Sequence, residues 1–114
     1  MPHEKYQKCI EVCNQCAVTC GHCAAACLQE DHVSDLARCI ALDQNCADVC
    51  YLASKLMSGG SEFAEKYCAF CADVCEACGK ECEKHSSMGH CRECAEACFR
   101  CAKICREMAG VTVG

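Results

Sequence analysis

A chain of 114 residues is the size of one ordinary domain, and its formal charge of -5 with pI near 5.5 argues against a phosphate-backbone partner, since 11 Lys and Arg lie interleaved with 16 acids. Leu, Ile, Val and Phe make only 18 residues, too few for an ordinary apolar core, so the 19 cysteines must help fill it; a buried, protonated thiol behaves as a small hydrophobe. No window approaches the roughly 18 apolar residues of a membrane span, and the N-terminal MPHEKYQKCIEVC lacks the unbroken apolar stretch of a secretory signal. The expectation is a cytoplasmic protein with neither membrane nor nucleic acid as a partner. That compartment keeps thiols reduced and turns a high cysteine count toward metal or redox chemistry.

In chain order, Pro2 suits a first helical turn, and Cys9, Cys13, Cys16, Cys20, Cys23 and Cys27 follow at alternating steps of four and three, one stripe of a helix over about 4–28. The polar run 29–32 breaks it. A second helix over about 33–58 carries Cys39, Cys46 and Cys50, with Asp43 and Ala53 at stripe positions where further cysteines could stand. Gly59-Gly60 stops it, and Ser61 reads as the N-cap of a third helix over about 62–84. That helix bears Cys68, Cys71, Cys75, Cys78 and Cys82. After the connection 85–89, Cys91, Cys94, Cys98, Cys101 and Cys105 mark a fourth helix over about 91–109, closed by Gly110. Four stripes and short loops predict an all-α fold: one antiparallel up-down-up-down four-helix-bundle domain over 1–114 with a cysteine-lined core.

Side chains three or four apart stand about 5–6 Å apart at Cβ, so CxxxC pairs converge on one small ion. Thiolates select copper(I), and two ligands satisfy it; zinc asks for four in a tetrahedron, and a continuous helical ladder offers no obvious fours. Nineteen bare thiolates in a dry core are prohibitive, whereas a monovalent ion per thiolate leaves the core near neutral. The expected ligand is therefore copper(I), many ions per chain, on the order of one per cysteine.

The segments CIEVCNQCAVTCGHCAAAC, CIALDQNCADVC, CAFCADVCEACGKEC and CRECAEACFRCAKIC resemble the cytosolic copper storage proteins over nearly the whole chain. The resemblance implies multi-copper(I) binding along the bundle interior, no catalysis and a homotetramer. Asp43 and Ala53 depart from the full ladder and imply lower metal density along helix two.

Extending the stripes locates the two ends. Tyr6, Met57, Tyr67 and Met108, with Phe63 close by, form an apolar, closed end. His32, His85, Met88 and His90 gather near Cys27, Cys82 and Cys91 at the other, where imidazole and thioether hand a soft ion inward; the plain alternative for each loop histidine is solvation. His3 and His22 are expected outside the bundle. Asp43 reads equally as an occasional ligand or a solvated carboxylate, and Phe70 and Phe99 as a subunit interface or as residues buried under a neighbouring helix. Among rivals, a zinc or general soft-metal buffer is the main one. An iron–sulfur carrier lacks C-x2-C-x2-C-x3-C-P, no CxxC stands out as a redox enzyme's, and an odd cysteine number disfavours disulfide stapling.

Overall fold

The computed structural model describes residues 2–110. A 3-10 turn, Pro2–Tyr6, leads into α1 (Gln7–Cys27); α2 (Ala37–Ser58), α3 (Ala64–Glu83) and α4 (Gly89–Met108) follow, and no strand occurs among the described residues. At 20 to 22 residues each, the helices are about 30 Å long. The bundle is antiparallel. Cys27 at the end of α1 meets Cys91 at the start of α4 at 3.7 Å, and Cys9 meets Cys105 at the opposite ends of the same two helices, also at 3.7 Å. Cys39 and Cys82 pair α2 with α3 in the same head-to-tail sense at 3.6 Å. Each helix packs on its sequence neighbours and α4 closes the ring on α1.

The helix ends follow local chemistry. After α2, Gly60 adopts φ 64°, Ser61 N–H donates to Leu56 C=O at 2.9 Å, and Gly60 N–H donates to Met57 C=O at 3.1 Å. This is a Schellman stop, and only glycine adopts that φ without strain. Ser61 does not cap α3 directly; its Oγ accepts from Phe63 N–H at 3.1 Å, just before the helix begins at Ala64. The second helix also starts later than position 33, because Val33–Leu36 form a 3-10 turn in which Asp35 N–H donates to His32 C=O at 3.0 Å. Leu36, fully buried, is the apolar residue that anchors that turn.

All 19 cysteines are buried and unpaired by disulfides. Ala17, Ala47, Ala53, Ala64, Ala72, Ala95 and Ala102 are buried beside them, so few large side chains hold the helices apart. Gly79 is part of the same economy: a Cβ there would stand 2.8 Å from the ring of Phe99, which lies against α3 from α4. Phe99 is half-buried there, whereas Phe70 is 52% exposed, its ring 5.8 Å from that of Tyr67. At the end expected to be closed, Tyr6 and Met57 are buried, and Tyr67 and Met108 pack half-buried against the core. Phe63 is exposed.

Candidate metal centre

The steps of three and four turn every cysteine of a helix toward one axis, and the antiparallel packing sets the stripes face to face. Sulfurs then meet both along and across helices. Cys16 lies 3.9 Å from Cys20 on its own helix, from Cys46 on α2 and from Cys98 on α4. Cys50 reaches Cys71 at 3.7 Å, Cys75 at 3.6 Å and Cys101 at 3.9 Å. Cys101 also lies 3.7 Å from Cys13, and Cys105 3.6 Å from Cys13, which continues the chain of sulfurs toward the closed end.

One expectation of the sequence changes here. Read along single helices, the cysteines form a ladder without natural fours; in the folded bundle the sulfurs do gather in fours, each group with its ligand atoms within 4.8 Å of one another. Cys13, Cys71, Cys101 and Cys105 form one, Cys16, Cys46, Cys50 and Cys75 another, and Cys20, Cys78, Cys94 and Cys98 a third. The cause is tertiary: a four takes its members from two or three helices, so no single-helix spacing announces it.

Asp43 sits fully buried in this column, its carboxylate accepting from the thiols of Cys78 at 3.2 Å, Cys94 at 3.2 Å and Cys82 at 3.4 Å. Burial pushes its carboxyl up to about 8. Burial likewise pushes the Cys27 thiol up to about 11 and raises that of Cys91, so at neutral pH these metal-free sites hold neutral S–H groups. Ala53, fully buried, supplies no ligand atom on α2.

The four residues expected at the mouth separate in the structure. His90 Nδ1 lies 3.7 Å from Cys23, 3.8 Å from Cys27 and 3.5 Å from Cys91, and its Nε2 faces Glu30 Oε1 at 3.3 Å. Met88, half-buried, packs against the core. His85 is half-buried too, but its Nε2 meets Glu81 Oε2 at 3.2 Å; Glu81 also receives Arg38 at 3.3 Å and Lys84 at 3.4 Å. His32 is exposed, as is His22. The side chain of His3 lies outside the described residues. Sequence reasoning did not find Glu30 and Glu81: Glu30 lies beyond the end of α1, and Glu81 is one acid among several on α3.

Residues 2–110 match the family model described as Copper storage protein. The chain belongs to that family. Among solved structures, apo copper storage protein 3 from Bacillus subtilis is 52% identical, with a TM-score of 0.85 over 90% of this chain and 97% of that one. Its Cu(I)-bound form is 51% identical at a TM-score of 0.87, over 90% of this chain and 96% of that one. A cytosolic copper storage protein from Streptomyces lividans loaded with five coppers is 42% identical at a TM-score of 0.90, over 99% of this chain and 98% of that one. An uncharacterized cysteine-rich protein, YhjQ, of Bacillus subtilis (strain 168) is 51% identical over 83 residues, 72% of this chain and 77% of that protein.

Proposed function

We infer that this protein stores copper(I) in the cytosol, binding many ions along the bundle axis through all nineteen thiols from Cys9 to Cys105. The observation that carries the reading is the network of buried sulfurs at 3.6 to 4.0 Å, in which a main group crosses all four helices and Cys23, Cys27 and Cys91 form a further cluster at one end. Each entering copper(I) replaces a thiol proton, which leaves for solvent; the S–H bond breaks, an S–Cu bond forms, and the core stays near neutral. Sharing sulfurs between ions allows on the order of one copper per cysteine. His90, with Met88, His32 and His85 at the same end of the bundle, receives copper near Cys27 and Cys91, and the deeper thiols provide most of the capacity. Storage requires no catalysis, and none is assigned. The four-helix unit is taken as one domain that assembles as a homotetramer. Exposed Phe70 is a candidate interface residue.

The test is an anaerobic titration of fully reduced protein with Cu(I) against a competing chelator that reports free metal. The expected result is tight uptake of about one equivalent per cysteine. Saturation at about four or five ions, with zinc competing on equal terms, would instead favour a divalent-metal buffer, in line with four thiolates per zinc.

A further inference from the structure

The end of the bundle holds more than a set of copper ligands. Cys23, Cys27, Cys91 and His90 stand at the corners of a tetrahedron all of whose edges are nearly equal. The sulfur–sulfur edges are 4.0 Å for Cys23 to Cys27, 3.8 Å for Cys23 to Cys91 and 3.7 Å for Cys27 to Cys91. The edges to His90 Nδ1 are 3.7, 3.8 and 3.5 Å. A zinc ion with bonds of about 2.3 Å to sulfur and about 2.0–2.1 Å to nitrogen has ideal edges of about 3.8 Å between sulfurs and about 3.6 Å from sulfur to nitrogen. The side chains therefore stand close to these positions without any ion.

We propose that Cys23, Cys27, Cys91 and His90 form a tetrahedral site for one soft divalent cation, zinc(II) by its chemistry, supported by Glu30 behind the imidazole. The Glu30 carboxylate, 3.3 Å from Nε2, accepts that nitrogen's proton in a hydrogen bond and leaves the Nδ1 lone pair directed at the three sulfurs. A carboxylate behind a metal-binding histidine fixes its tautomer and its ring plane. His85 pairs with Glu81 through its Nε2 at 3.2 Å, whereas at His90 the carboxylate on Nε2 and three sulfurs about Nδ1 occur together.

Charge ranks this site above the interior fours. Three thiolates, a neutral imidazole and a divalent ion leave one net negative charge close to solvent, with three protons released on binding. A group of four thiolates, such as Cys20, Cys78, Cys94 and Cys98, leaves two negative charges in the dry core. The first divalent equivalent therefore goes to the mouth. Copper(I) has no such preference, because two shared sulfurs satisfy it anywhere along the column. The inference is thus separate from copper storage although it uses four of the same residues.

Titration of reduced, metal-free protein with Co(II), followed by Zn(II) displacement, tests it. The first Co(II) equivalent is expected to give tetrahedral d–d bands with charge-transfer intensity for three thiolates, and one Zn(II) is expected to abolish them. Affinity for that first equivalent falls at least tenfold in His90→Ala and is unchanged in Cys50→Ser, whose sulfur lies deep in the column. His90→Ala decides the matter; where circular dichroism shows it unfolded, Glu30→Gln, a surface change expected to cost about 10- to 100-fold, decides in its place. Equal affinity in the deciding variant and wild type overturns the proposal, as does a four-thiolate first spectrum or loss of the first equivalent in Cys50→Ser. A Cu(I) endpoint on the same wild-type sample keeps the two readings apart: a full copper count without the Co(II) spectrum sinks this site alone, and the converse sinks storage alone.

Discussion

Replacing Asp43 with Asn is the sharpest test of how this core handles charge. The carboxyl is wholly buried among Cys39, Cys78, Cys82 and Cys94 and is held protonated up to about 8, against an ordinary value of 3.8. Between those values the folded protein keeps a proton that the unfolded chain has already released, so stability falls as pH rises through the interval. The contribution is fully present below about pH 4 and lost by about pH 8. Taken over the whole interval, at roughly 1.4 kcal/mol per pH unit, the loss is about 6 kcal/mol as an upper bound. Water penetration and relaxation around the charged form reduce it to about 2–3 kcal/mol. For a domain of this size that is a fall in Tm of roughly 10 °C.

The assay is urea unfolding of reduced, metal-free protein followed by circular dichroism at pH 5, 6, 7 and 8. Wild type is expected to lose stability steadily across the series. Asp43→Asn keeps the shape but cannot ionise, so its midpoint stays nearly level and exceeds wild type at pH 8. Every group other than residue 43 is common to both proteins and cancels in the difference. Parallel slopes would refute the reasoning, since the pH dependence would then arise elsewhere.

Other consequences are as open to measurement. Far-ultraviolet circular dichroism of the reduced, metal-free protein is expected to be helical already, because neutral thiols and alanines pack without metal; a coil spectrum that becomes helical only with copper would contradict this. Replacing Cys75 and Cys98 with Ser is expected to remove about two copper ions and leave the rest, since no single site in a shared network is indispensable; loss of all binding would mean one discrete cluster. Gly79→Ala is expected to cost about 1 kcal/mol with Phe99 present and to turn neutral or stabilising in a Phe99→Ala background, as the clash gives way to the helix preference for alanine. In stopped-flow uptake, His90→Phe is expected to slow copper loading more than His32→Phe does, since His32 is exposed and His90 stands among three thiols; equal rates in all three proteins would move the entrance elsewhere.

How much of this was legible in the sequence depended on whether one helix or several carried the signal. Alternating steps of three and four place Cys68, Cys71, Cys75, Cys78 and Cys82 on one face by arithmetic alone, and Gly60 marks a stop because it alone among its neighbours adopts a positive φ. The delayed start of α2 was not legible, since Val33–Leu36 has no breaker; a 3-10 turn there ends in buried Leu36. Nor was the division of the mouth histidines. His85 and His90 lie five residues apart around one connection, yet one turns to Glu81 and the other to three thiols. The difference is where each falls relative to the neighbouring helix ends, which periodicity within a helix does not encode. The fours of sulfur were hidden for the same reason.

Folding and metal binding here share one physical cause. A thiol contributes less apolar area than leucine, so a core of cysteines gains less from each burial and must recover the difference through closer approach of the backbones. Alanines at Ala17, Ala47, Ala72, Ala95 and Ala102, and Gly79 under Phe99, permit that approach. Close approach in turn brings sulfurs from facing helices to within 3.6 to 4.0 Å, which is the spacing that ligands of one small ion require. Leucines on the same stripes would fold more firmly but would push the helices apart. The weakness of cysteine as a hydrophobe is therefore what draws the thiols to coordination distance before any metal arrives.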